Sequence, residues 1–206
     1  MDSRVRRMRV LMAGALLPLL LAVPPLQRVL EASMTAQMLV QIPLLAIAGA
    51  LLGRSLPRRT ASRVALWNRG GVTGLIVVTF AAACWMLPLS LDAAKAGAAA
   101  DCVKFLTVPL LIGLPLAVSW PHMSFVLRGV LLFEAMATLF RMGWLYLISP
   151  VRLCNGYGLS DQQRLGEWLL IAGAALLAWV VWRLLWGSPR ATAQAVGPGV
   201  RDGSRP

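Results

Sequence analysis

Apolar residues arrive in this chain in long unbroken runs, each about the length that crosses the hydrocarbon core of a bilayer as a helix. Six such runs can be drawn: Val10 to Leu26, Met34 to Gly53, Val72 to Leu91, Val103 to Trp120, Val126 to Ile148 and Leu165 to Trp186. The fourth is interrupted by Pro109 and Pro115. Composition excludes an ordinary soluble domain. Hydrophobic residues make up 58 % and charged residues 14 % of the 206, whereas a domain that must keep a polar surface in water has about 25 % charged residues. The expected fold class is all-α, a polytopic membrane bundle of about six transmembrane helices.

Charge orients the drawing. Lys plus Arg is 20 against 8 for Asp plus Glu. In a soluble protein that surplus would suggest nucleic acid. Here the basic residues cluster in short connections between apolar runs, so the positive-inside rule explains them and no nucleic-acid partner is expected. With the N-terminus inside, most of the basic residues fall on the inner side, beginning with Arg4, Arg6, Arg7 and Arg9. Arg28, Lys95, Lys104, Arg152 and Arg164 fall outside. Both termini are therefore expected in the cytoplasm. Residues 1–9 form a basic cytoplasmic start, 10–186 the six-helix domain, and 187–206 a disordered cytoplasmic tail rich in Gly, Pro, Arg and Ala. The first run has the look of a signal peptide, but Pro24-Pro25 stands where a cleavage site would be sought, so it is expected to stay.

A polar side chain inside a span costs free energy and calls for a reason. Met34 and Met38 are one turn apart at the start of the second run, as are Gln37 and Gln41, so each pair shares a helix face. Two thioethers there suit Cu(I), a soft cation; equally, methionines fill core gaps and glutamines hydrogen-bond between helices. Cys102 and Cys154 both fall on the outer side, where three fates are open: a disulfide, thiolate ligands for a metal, or no partnership. Arg141 lies near the middle of the fifth run, two turns beyond Glu134 on the same face, and an ion pair that helps hold the bundle together is the leading reading. His122 is the only histidine, which excludes a zinc or haem enzyme built on several imidazoles. No P-loop, G-x-S-x-G, H-E-x-x-H or C-x-x-C occurs. Catalysis is not expected. Gly49 and Gly53, and Gly70 and Gly74, have the small-x-x-x-small spacing that lets helix backbones touch in lipid.

Two stretches together carry a family resemblance. The run Met34-Thr35-Ala36-Gln37-Met38-Leu39-Val40-Gln41, followed by Pro43-Leu44-Leu45 and Gly49, resembles the His-Met-x-x-His signature and following Pro-Leu helix of CtaG-like proteins. These are multi-pass assembly factors of caa-type cytochrome c oxidase. Tyr157-Gly158-Leu159-Ser160-Asp161-Gln162-Gln163-Arg164-Leu165-Gly166 is similar to that family's Tyr-Gly-Leu…Asp-Gln-Gln-x-x-Gly segment. The resemblance implies an accessory or assembly factor of a respiratory complex, in a bacterial-type inner membrane, with a larger membrane complex as partner and copper as the metal handled. Two departures stand against a simple transfer. Gln37 and Gln41 replace the pattern's histidines, and one span of the family's usual seven is missing. The resemblance then implies a diverged member that has either lost metal binding or shifted it to Met34, Met38 and the cysteines. The alternative function is a structural subunit with no chemistry of its own; a small transporter is a third.

Overall fold

A computed structural model describes every residue except 1, 58, 59, 61, 62, 65, 67, 88, 89, 91, 94–96, 154, 155 and 187–206. The expected disordered tail and Cys154 lie outside the described residues. The described residues form helices and connections, with no strand among them. We number the main helices α1 (Asp2–Leu21), α2 (Pro24–Glu31), α3 (Met34–Arg54), α4 (Val72–Met86), α5 (Ala99–His122), α6 (Phe125–Ile148) and α7 (Leu159–Trp186).

Every apolar run drawn from the sequence overlaps a helix, but the third was drawn to Leu91 whereas α4 ends at Met86, and the runs are not equivalent. α3, α5 and α7 are each long and apolar enough to cross a membrane. The first run breaks: α1 ends at Leu21, and α2 leaves it at 71°. The cause is local, because Pro24 and Pro25 have no N–H to continue the ladder and instead open a new helix at its first turn. α4 has 15 residues. α6 has the length, with 24 residues, and carries Arg128, Glu134 and Arg141.

α3 and α5 form the centre and cross with their backbones in contact. A Cβ at Gly49 would run into the Pro109 carbonyl, and one at Gly113 into the Ala46 carbonyl. Only glycine permits that approach. α1 packs on α3 where Gly14 faces the Ala48 carbonyl, and Gly74 of α4 sits against Ser119 of α5. α6 and α7 make an antiparallel hairpin whose glycines, Gly143 and Gly166, face each other's carbonyls. An apolar cluster of Met34, Met38, Tyr146, Tyr157, Leu165 and Leu169 fastens this hairpin to the start of α3. A second, of Leu21, Leu45 and Val108, joins α1, α3 and α5.

Both central helices widen by one turn just before a proline. Ile42 N–H donates to the Gln37 carbonyl, five residues back, ahead of Pro43. Leu114 N–H likewise donates to the Pro109 carbonyl, ahead of Pro115. A proline removes one α-helical bond and crowds the carbonyl four residues earlier, and a π turn relieves both.

The bundle has two chemically different ends. At one, Arg7 Nε donates to the Ser55 carbonyl (2.7 Å), and Arg4, Arg6 and Arg54 stand nearby. Asn68 there donates to Ser119 Oγ (2.6 Å) and accepts from Gly74 N–H (2.9 Å), and Arg128 donates to the Trp120 carbonyl (3.0 Å). The opposite end holds Gln27, Glu31, Gln41, Asp101 and Lys104.

Candidate functional site: a buried lysine under helix α2

Lys104 is fully buried on α5, where an isolated ammonium would be costly to desolvate. Three oxygens surround its ammonium, two as hydrogen-bond acceptors (Glu31 Oε1 and Gln41 Oε1) and one, Asp101 Oδ1, as an ion-pair partner. Nζ lies 2.6 Å from Glu31 Oε1, 2.7 Å from Asp101 Oδ1 and 3.2 Å from Gln41 Oε1. Glu31 comes from the end of α2, Asp101 from one turn earlier on α5, and Gln41 from the π turn of α3. Gln27, one turn before Glu31, donates to Asp101 Oδ2 (2.7 Å). Three side chains from three helices thus converge on one cation, and Gln27 braces one of them. Glu31 and Asp101 keep 16 % of their side chains exposed, so the cluster sits just beneath the bundle surface.

A second group continues inward. Gln37 and Gln41 are both fully buried, and the wide π turn keeps them on one side of α3. The Tyr157 hydroxyl lies 2.7 Å from Gln37 Oε1 and 2.9 Å from the Glu31 carbonyl oxygen. One hydroxyl proton serves only one acceptor, so a reversed Gln37 amide would donate Nε2 to Tyr157 while Tyr157 donates to Glu31. As oriented, Gln37 Nε2 is buried with no hydrogen-bond partner. Gln162 ties the hairpin loop: its Oε1 accepts from Leu153 N–H (2.9 Å) and its Nε2 donates to the Tyr146 carbonyl (3.4 Å). Asp161 lies in the first turn of α7, where a carboxylate meets the positive end of the helix dipole.

The remaining sequence candidates fall elsewhere. Met34 is fully buried and Met38 nearly so, both inside the apolar cluster with Tyr146 and Leu165. Cys102 and Cys84 are exposed free thiols. Among the described residues no three of His, Cys, Asp or Glu gather as a metal set. The polar centre is occupied by a lysine ammonium, and its other groups are amides and hard carboxylates. Cu(I), which prefers sulfur and imidazole, does not fit this donor set. Glu134 and Arg141 meet at 2.6 Å, but both belong to α6, with side chains 46 % and 66 % exposed. That contact ties no two helices together.

Glu31 and Gln27 carry weight that the sequence reading did not assign. The available signal was the pair Gln27 and Glu31, one turn apart in a short segment opened by two prolines, which marks a polar helix face. No family model, curated protein or solved structure matches this chain.

Proposed function

We propose that this chain is an integral membrane accessory factor for the assembly of a respiratory complex of the cytochrome oxidase type, with no catalysis of its own. In this reading six helices lie in a bacterial-type inner membrane, and both termini are cytoplasmic. The observation that carries it is the 2.7 Å contact between Gln37 and Tyr157, 120 residues apart. It joins the two separate stretches on which the resemblance to CtaG-like proteins rests. The two ends of the bundle support the orientation, because the arginine-rich end collects the positions expected inside. Copper handling at the polar centre is not part of the proposal, since the donor set does not suit it. Deleting the chain from its native cells should lower assembled oxidase, read as haem absorbance and oxygen uptake in membranes. Unchanged oxidase content overturns the reading.

A second reading, a structural subunit within a larger membrane complex, is favoured by the face of α6 that carries Glu134, Thr138 and Arg141. Arg141 Nη2 donates to Glu134 Oε1 (2.6 Å) and Thr138 Oγ1 (3.4 Å), yet the pair remains open to the surroundings. Arg141 is about 10 Å of helix from Ile148, far from an easy escape to headgroups. Lipid tails cannot satisfy its remaining donors. Copies of one chain inserted the same way present parallel α6 helices, which would set Arg141 against Arg141. A different protein's helix, bearing an acceptor at that level, is the better cover. An assembly factor leaves the finished complex, whereas a structural subunit is stoichiometric in it. Quantifying the chain in purified mature complex separates the two.

A further inference from the structure

The arginine-rich end contains a cleft between α1 and α3 of about 770 Å³, lined by Arg4, Arg6, Arg7 and Arg54 above Val10 and Leu51. Among the described residues no carboxylate lines it, and the ion pairs formed by basic side chains involve Lys104 and Arg141 only. Arg7 Nε is fixed on the Ser55 carbonyl at the end of α3 (2.7 Å), which holds one guanidinium at the mouth. Four guanidiniums gathered in one cleft repel one another, so an anion between them removes that repulsion and accepts their planar forks.

A second hollow continues along the same helix. It holds about 540 Å³ and is lined only by apolar side chains, including Ala13, Leu16, Leu17 and Leu20. Arg6, Val10, Ala13, Leu17 and Leu20 step along α1 by three or four residues, so one stripe of the helix runs from the cleft to the hollow, which side chains of α1 and Val23 line. From Ala13 to Leu20 the helix rises about 10 Å, within the depth of one leaflet, about 15 Å. A charged cleft above an apolar groove of that length matches an amphipathic anion.

We propose that this face of α1 binds an anionic phospholipid, its phosphate among Arg4, Arg6, Arg7 and Arg54 and one acyl chain along Ala13 to Leu20. The site needs only that the basic end meets a membrane surface, and it holds whichever complex the chain serves. Positive-inside orientation alone explains arginines in a loop; it does not explain a recess that gathers them above a matching apolar groove.

Native mass spectrometry of the purified full chain tests this, with long-chain phosphatidylglycerol, phosphatidylcholine and glycerol phosphate as probes. Phosphatidylglycerol should be retained and the other two should not. Arg6→Gln with Arg54→Gln should weaken retention about twenty-fivefold, at about fivefold for each basic residue near the anionic surface. Arg152→Gln with Arg164→Gln, the same charge change at the other end, should leave retention intact. Arg6→Lys with Arg54→Lys keeps the charge and should restore most of it, which guards against a folding defect in the glutamine variant. Equal losses in both glutamine variants, or equal retention of phosphatidylcholine, overturn the proposal. Retention of glycerol phosphate as strong as that of the lipid makes this a site for a soluble phosphate and overturns it as well.

Discussion

Lys104 and Glu31 approach to 2.6 Å across 73 residues of chain, and through this contact α2 is held against α5. Because Lys104 is wholly buried, its removal leaves two neighbouring carboxylates without their cation. Breaking a buried pair from one side typically costs about 3–5 kcal/mol. Lys104→Met should therefore lower the thermal midpoint of the purified protein sharply. Adding Glu31→Gln and Asp101→Asn to that variant should recover much of the loss. A Lys104→Met protein as stable as wild type would show that the cluster contributes nothing.

The α3–α5 crossing makes an equally direct prediction. Gly49→Ala and Gly113→Ala each place a methyl group inside a neighbouring carbonyl, whereas Gly129→Ala meets open space. Overpacking typically costs about 1–3 kcal/mol, and more where backbone must move. Both crossing variants should lose stability in detergent, and Gly129→Ala should not.

For α6, Glu134→Leu together with Arg141→Leu should leave the isolated protein's stability nearly unchanged, since the pair is exposed and lies within one helix. Under the proposal that a different protein's helix covers this face, the same double variant should fail to co-purify with that helix's protein where wild type does. Loss of fold instead would mean that the pair supports the chain itself.

Copper is tested by titrating Cu(I) against a competing chelator. Wild type and the Met34→Leu, Met38→Leu double variant should compete alike, because both sulfurs lie in an apolar cluster. Weaker binding by the double variant would restore a thioether site. Reporter fusions at Gly97 and Arg63 should meanwhile report opposite sides of the membrane.

Local patterns were legible and long-range meetings were not. The apolar runs marked every main helix except α2, and the Gly49 spacing marked a backbone contact, because both signals are written within a few residues. Pro24-Pro25 was visible as well; its consequence, a sharp turn that swings Glu31 over the bundle, depends on where α5 ends up. Lys104, Asp101 and Gln41 look like unrelated polar residues until three helices bring them together. The Glu134 and Arg141 spacing was also plain, but spacing cannot say whether a helix face is covered by its own chain.

The π turns of α3 and α5 carry a consequence for how this protein tolerates change in length. A π turn is an α-helix that has accepted one extra residue, and each residue of helix rotates the remainder of that helix by about 100°. Deleting Val40 would keep every side chain of the polar cluster, yet turn the beginning of α3 by that angle relative to Gly49. Gln37 would then face away while the glycine crossing stayed in place. Insertions and deletions within residues 37–41 or 108–113 should accordingly be far more damaging than most substitutions there. Lineages of this chain would be expected to vary in letters at these turns before they vary in count.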